Sequence, residues 1–198
     1  MVNDAIKLEV DITDNEFDKI YPLAIQKKSR IHWTPVKVAK IVANLLVDKA
    51  GIKVLDVGSG VGKFCIVGAT LTEGIFTGIE QRKYLVDISN SLFDNYGLEN
   101  ARAIHANVTS IDFGFYDAFY FYNPFMENLC KSRRIDDIVT LSENHYTEYI
   151  IYVHSQLLNL PNGTKIVTYC SNGIKIPNSY KKIASYENEL LDLWVKKR

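Results

Sequence analysis

The sequence predicts an α/β protein: a three-layer sandwich on a seven-stranded, mostly parallel sheet with an antiparallel C-terminal edge hairpin. Three observations carry this. Short apolar runs at 53–57, 75–80, 101–106, 117–122 and 164–169 alternate with stretches of helical spacing, the pattern of strand–helix units around a parallel sheet. The run at 117–122 is almost wholly aromatic and apolar, as a central strand covered on both faces must be. Two further extended segments, 180–186 and 190–196, are separated only by Glu187, Asn188 and Glu189, which is room for a hairpin but not for a crossover helix.

Taken in order, residues 1–12 read as irregular, with a short extended piece at 6–10. Asp14 can cap a helix reaching about residue 28, with Phe17, Ile20, Leu23 and Ala24 on successive turns. Pro22 inside it predicts a kink or a late start. Thr34 as N-cap with Pro35 at the first helical position predicts a second helix. Its apolar face is Val36, Ala39, Ala43, Leu46 and Val47, and Gly51 is suited to its C-terminal cap. On this reading residues 1–34 are a helical extension packed on a core domain of 35–198. A third helix follows Gly62, with Phe64, Val67 and Leu71 inward. A fourth, over 81–96, carries Leu85, Ile88, Leu92 and Tyr96 and is closed by Gly97. Thr140-Leu141-Ser142-Glu143 offers a capping box for a helix with Tyr146, Tyr149, Ile150, Val153 and Leu157 on one face. Pro161-Asn162-Gly163 is a turn. The stretch 126–141, charged at 131–137, follows no element pattern.

At 198 residues the chain is long enough for one domain with a substantial core. Its formal net charge is zero, which argues against a broad electrostatic attraction to nucleic acid. Cys65, Cys130 and Cys170 are scattered, odd in number and without CxxC spacing, against a disulfide framework or a zinc site. No metal is expected. No apolar stretch reaches membrane-spanning length and the first residues do not begin a signal peptide, so a cytoplasmic protein without membrane partners is expected.

The chemistry is concentrated in Val54-Leu55-Asp56-Val57-Gly58-Ser59-Gly60-Val61-Gly62-Lys63-Phe64, a strand, a glycine-rich turn and a helix start. That geometry brings backbone N–H groups and a helix N-terminus up to a bound nucleotide. A P-loop would need a glycine at 57 and a hydroxyl residue at 64, where Val and Phe stand. A dinucleotide fingerprint would need Gly or Ala at 63, which is Lys. Asp56, two residues before the first glycine, repels a pyrophosphate and suits a cationic or neutral ligand. The next strand ends in Glu80, placed to accept hydrogen bonds from ribose hydroxyls.

Asp56, the glycines and Glu80 together resemble the nucleoside site of class I S-adenosylmethionine-dependent methyltransferases, which have a Rossmann-like fold. The resemblance covers residues 35–198 in architecture, with its specific motifs between Val54 and Phe125. It implies S-adenosylmethionine as cofactor, with Gly58, Ser59, Gly60 and Gly62 around its methionine part, Glu80 on the ribose and Asp56 near the amino group. Asn107 stands where many members have an Asp at the adenine amine, and Gln81 is adjacent. His32-Trp33-Thr34-Pro35 is expected over the pocket, with Trp33 as a wall and Thr34 fixed by the helix cap. Asn123-Pro124-Phe125 is similar to a shortened Asn-Pro-Pro-aromatic motif of methyltransferases acting on amine nitrogens, one proline being absent. It implies Asn123 and Phe125 as the catalytic pair, orienting and walling an amine. Asn123 precedes a proline, so an extended backbone is expected there. The cofactor motifs are also similar to those of non-SET histone-lysine methyltransferases.

The partner implied is a methyl acceptor: protein, nucleic acid or small molecule. Methyl transfer needs alignment and exclusion of water rather than covalent catalysis, and no Ser-His-Asp cluster is visible. His105, His145 and His154 read as structural or surface residues. Two rivals remain at this stage. One is a nicotinamide-dependent oxidoreductase. The other is an S-adenosylmethionine-binding protein without transferase activity.

Overall fold

Each expected strand forms, and the sheet order positions the crevice that matters. A computed structural model describes residues 12–171 and 173–197; the extended piece expected at 6–10 lies outside them. The strands are β1 (Lys53–Val57), β2 (Ile75–Glu80), β3 (Ala101–His105), β4 (Ala118–Tyr122), β5 (Lys165–Tyr169), β6 (Tyr180–Tyr186) and β7 (Leu191–Lys196). They form one sheet in the order β3-β2-β1-β4-β5-β7-β6. The first five are mutually parallel, and β7 runs antiparallel between β5 and β6. The strand order reverses at β1, whose neighbours are β2 and β4, so a crevice opens at the carboxyl ends of β1 and β4.

Two apolar layers cover the sheet. Alternate β1 residues divide between them, Val54 in one and Leu55 and Val57 in the other. The first layer contains α4 (Val36–Leu46), α5 (Lys63–Leu71) and α6 (Lys83–Asn95). The second contains α7 (Glu143–Leu158), with Tyr149, Val153 and Leu157 inward. No described helix is long and apolar enough to cross a membrane.

The N-terminal region departs from the single helix expected, kinked or starting late at Pro22. It is three short helices, α1 (Asp14–Phe17), α2 (Leu23–Gln26) and α3 (Ser29–His32), with a 3₁₀ turn at Asp18–Ile20. Pro22 forces Tyr21 into an extended conformation at φ −93° and ψ 155°, which breaks the helix there. The first cap is Thr13, in a reciprocal capping box with Glu16, not Asp14. Asp14 is used elsewhere: its Oδ1 accepts from the Val36 N–H at 2.9 Å. That long-range contact replaces the Thr34 cap expected for α4, where Pro35 is the N-cap and makes no side-chain bond. The Thr34 hydroxyl instead pairs with the Tyr120 hydroxyl at 3.1 Å. Lys63 fastens the region down. Its buried ammonium meets Asp14 at 2.6 Å and Asp18 at 2.7 Å and lies over the Phe17 ring. The α7 cap is Ser142, accepting from the His145 N–H, rather than Thr140.

Candidate cofactor pocket and acceptor site

The turn after β1 is built for close approach. Gly58, Gly60 and Gly62 have φ of 76°, 55° and 72°, a region L side chains avoid. A Cβ on Gly60 would lie 2.4 Å from the Trp33 ring, and one on Gly58 would lie 3.0 Å from the Pro124 Cβ. The loop is therefore held between Trp33 on one side and the turn after β4 on the other. Trp33 is itself fixed, its indole N–H donating to the Ile25 carbonyl at 3.1 Å.

Four of the five amides of loop 58–62 are already taken up within the protein. Gly58 and Ser59 both donate to the Ile79 carbonyl, at 3.0 and 2.9 Å, and Gly62 donates to the Ser59 carbonyl at 2.9 Å. Gly60 donates to Glu80 Oε2 at 3.2 Å. Three N–H groups that could cradle a phosphate thus hold β2 and its carboxylate, and the fourth closes the loop on itself.

Glu80 is buried at the end of β2. Its Oε1 accepts from the Arg82 N–H at 2.9 Å. Burial raises its pKa, opposed by that bond, by the Arg82 charge and by the Gly60 bond. Each oxygen accepts one backbone N–H and Glu80 lines the pocket, so the group has acceptor capacity left for a diol. The pocket wall continues with Gln81 and Asn107. The Asn107 amide is more occupied than its expected role requires. Its Oδ1 accepts from the Thr109 N–H and hydroxyl, both at 3.0 Å, and its Nδ2 donates to the Tyr149 hydroxyl at 2.8 Å.

The structure does not bring every expected residue to the wall. Trp33, Gly58, Gly60, Glu80, Gln81, Asn107, Asn123 and Phe125 line the cavity. Asp56, Ser59, Gly62 and Thr34 stand behind it: Asp56 meets the Cys65 thiol, Thr34 meets Tyr120, and the Ser59 hydroxyl is buried without a hydrogen-bond partner among the described residues.

Burial pushes the Asp56 carboxyl up to about 7, opposed by the Cys65 hydrogen bond and reinforced by the Glu80 charge. Since an unfolded Asp titrates near ~3.9, the folded chain holds this proton more tightly between about pH 4 and 7. Stability from this group is therefore full below about pH 4 and falls as pH rises through about 7, with a slope of at most ~1.4 kcal/mol per pH unit. Melting temperatures of the ligand-free protein from pH 5 to 8 should show this fall, and Asp56→Asn should flatten it. Equal slopes in the two proteins would contradict the assignment.

The acceptor side is set by the turn after β4. Asn123 is not extended but at φ 45°, in the left-handed region that Asn tolerates better than most residues. Its N–H donates to the Ser171 hydroxyl at 2.6 Å, and the single Ser171 O–H proton is shared between the Phe121 and Tyr169 carbonyls, which pins the turn to the end of β5. Asn123 lines the pocket, and its carboxamide makes no hydrogen bond among the described residues. Phe125 is buried with its ring 5.2 Å from Tyr149.

Sequence reasoning missed the pocket's far wall, which Arg82, Met126, Glu127, Arg133 and Ile135 supply. The one signal was the charged stretch 131–137 without a pattern of its own. Among the described residues no group of His, Cys, Asp and Glu is arranged to hold a metal.

Comparison with known proteins agrees with this geometry. Residues 11–121 match the model of the protein-L-isoaspartate(D-aspartate) O-methyltransferase family, PCMT. The chain belongs to that family. The match spans the cofactor half and ends before Asn123. No curated protein matches the sequence. Among solved structures, TrmN from Thermus thermophilus aligns with a TM-score of 0.58 at 13% identity, over 87% of this chain and 52% of that one. The present chain thus spans about half the length of TrmN. A Salinibacter ruber RNA methyltransferase solved with S-adenosyl-L-homocysteine aligns at 0.55 and 16% identity, over 82% of this chain and 90% of that one. The putative methyltransferase yhhF from Escherichia coli aligns at 0.56 and 14%, over 81% and 85%. Fold and family are those of the S-adenosylmethionine-dependent class I methyltransferases.

Proposed function

We propose that the protein transfers a methyl group from S-adenosylmethionine to a nitrogen acceptor. The observation that carries the cofactor half is the loop 58–62, four of whose five amides are bonded within the protein and so are not free to cradle a pyrophosphate, while Glu80 lines the pocket as a diol acceptor. The residues suit the cofactor: Glu80 would hold the ribose, the glycine loop would face the methionine part, and the adenine would lie by Gln81 and Asn107. Bound there, the cofactor supplies an activated methyl on sulfur. The chain's own work is to orient the acceptor in line and to exclude water.

For the acceptor, Asn123 offers a free carboxamide oxygen to an amine N–H, and Phe125 with Tyr149 walls the space against water. Isothermal calorimetry checks the cofactor. S-adenosylhomocysteine should bind and NADH should not; the reverse would favour an oxidoreductase. An S-adenosylmethionine-binding protein without transferase activity would bind but transfer no methyl group.

A carboxylate acceptor is the second reading. It is favoured by Arg133, which lines the pocket and makes no ion pair among the described residues, and by the substrate in the family's name. Mild alkali separates the two: methyl esters release methanol, whereas N-methyl products survive.

A further inference from the structure

The segment 126–138 closes one side of the pocket, yet little apolar burial holds it. It contains only two 3₁₀ turns, Met126–Asn128 and Lys131–Arg133. Leu129 is 45% exposed and Ile138 is 71% exposed; of its large apolar side chains only Ile135 is deeply buried. Its attachment is polar and converges on one guanidinium. Arg82 is 2% exposed, and its side chain forks onto Glu127 with Nη1–Oε1 at 3.2 Å and Nη2–Oε2 at 2.7 Å. Its Nε donates to Asp136 Oδ1 at 2.9 Å. Both acceptors are tied into the segment in turn. Glu127 Oε2 accepts from the Ile135 N–H at 2.7 Å, and Asp136 accepts from the Ile138 N–H and the Tyr84 hydroxyl. Lys28 adds one bond from α3, to the Ile135 carbonyl at 2.6 Å.

The same arginine touches the ribose acid. Its backbone N–H donates to Glu80 Oε1, and its Nη1 lies 3.7 Å from that oxygen. One residue therefore bonds both the carboxylate expected to hold the cofactor and the wall that encloses it. Burial works against the arginine's charge, but the carboxylates of Asp136, Glu127 and Glu80 outweigh it and hold its pKa up. It acts as a fixed cation among three acids. Charge-assisted, bidentate bonds of this kind are strong and geometrically demanding, and a lysine cannot reproduce them. Outside this node the segment is anchored by the Lys28 bond and by bonds of Asn128 to the Ser142 N–H and of Arg134 to the Leu141 carbonyl; a segment held by few apolar contacts and mainly by polar ones belongs to the low-stability end of a structure, where opening is local.

We propose that Arg82 is a positioning residue for the cofactor: it latches segment 126–138 over the pocket, and that latch governs how fast the demethylated cofactor leaves. The proposal rests on the cofactor assigned above, not on the acceptor. Because Met126, Glu127 and Ile135 all line the cavity, release of the latch opens the pocket along this segment.

Stopped-flow dissociation of S-adenosylhomocysteine from the full-length protein tests it. Glu127→Gln keeps the size of the side chain but breaks the ionic fork, and Arg82→Lys keeps the charge but loses the fork. Each should raise the release rate about tenfold or more, with association changed far less. The double variant should release no faster than the faster single, since both remove one latch. Asp137→Asn is the control, because Asp137 is exposed and its one ion pair among the described residues is to Arg134; its release rate should match wild type. Asp136→Asn replaces Arg82→Lys if the latter does not fold. Hydrogen exchange of 126–138 should be slow with ligand bound and faster in Glu127→Gln. Release rates within twofold of wild type in the latch variants would overturn the proposal alone. Wild type that binds no S-adenosylhomocysteine would overturn the cofactor reading and the latch together.

Discussion

Replacing Glu80 by alanine lowers affinity for S-adenosylhomocysteine by one to two orders of magnitude. The carboxylate stands at the end of β2 with one backbone N–H on each oxygen, from Gly60 and Arg82, and Glu80 lines the pocket with acceptor capacity to spare. A hydrogen bond to a charged group is worth about 1.5–3 kcal/mol, and about 1.4 kcal/mol is tenfold in binding. Alanine also leaves the Gly60 N–H, a buried donor, without its acceptor, so the glycine loop loses its fixed distance from β2. Glu80→Gln separates these effects. The amide keeps one acceptor oxygen but carries no charge, so its loss should be smaller than that of alanine. Calorimetric titration of the three proteins checks the order. Equal affinity in wild type and Glu80→Ala would remove the ribose role, and with it the register argument that linked Glu80 to Gly60.

What the sequence made legible was whatever depends on short-range pattern. The β-strands follow from local apolar runs, and Glu80 follows from its register twenty residues after Gly60. What stayed hidden depends on contacts between distant residues. The N–H of Val36 is capped by Asp14 across the fold, so the local signal of Thr34 and Pro35 pointed one residue away from the true start of α4. Thr34 was freed to meet Tyr120, on a strand no local rule connects to it. The latch over 126–138 is invisible for the same reason: it has no periodicity, and Arg82 holds it from more than forty residues away. At Asn123 two local rules conflict. The following proline favours extended backbone, whereas Asn tolerates the left-handed region, and the latter conformation is the one found, with the Asn123 N–H donating to the Ser171 hydroxyl.

That backbone conformation shapes the test of the acceptor site. Asn123→Gly should lower methyl-transfer turnover about 100-fold, the usual size for loss of one pre-placed hydrogen-bonding group at a reacting centre. Affinity for S-adenosylhomocysteine should stay within about twofold, because the lost bond belongs to the acceptor in the transition state and not to the cofactor. Glycine is the informative replacement. It adopts the φ of 45° freely, so only the carboxamide is lost. Asn123→Ala removes the same group but adds a left-handed backbone penalty of about 1–2 kcal/mol, so its melting temperature should fall while its turnover matches that of the glycine variant. Turnover at saturating acceptor, cofactor affinity and thermal stability, measured on all three proteins, separate chemistry from scaffolding. If Asn123 only shapes the turn, the alanine variant loses stability and the glycine variant keeps wild-type turnover. That result would take Asn123 off the catalytic side of the pocket and leave Arg133, with a carboxylate acceptor, as the better-supported alternative.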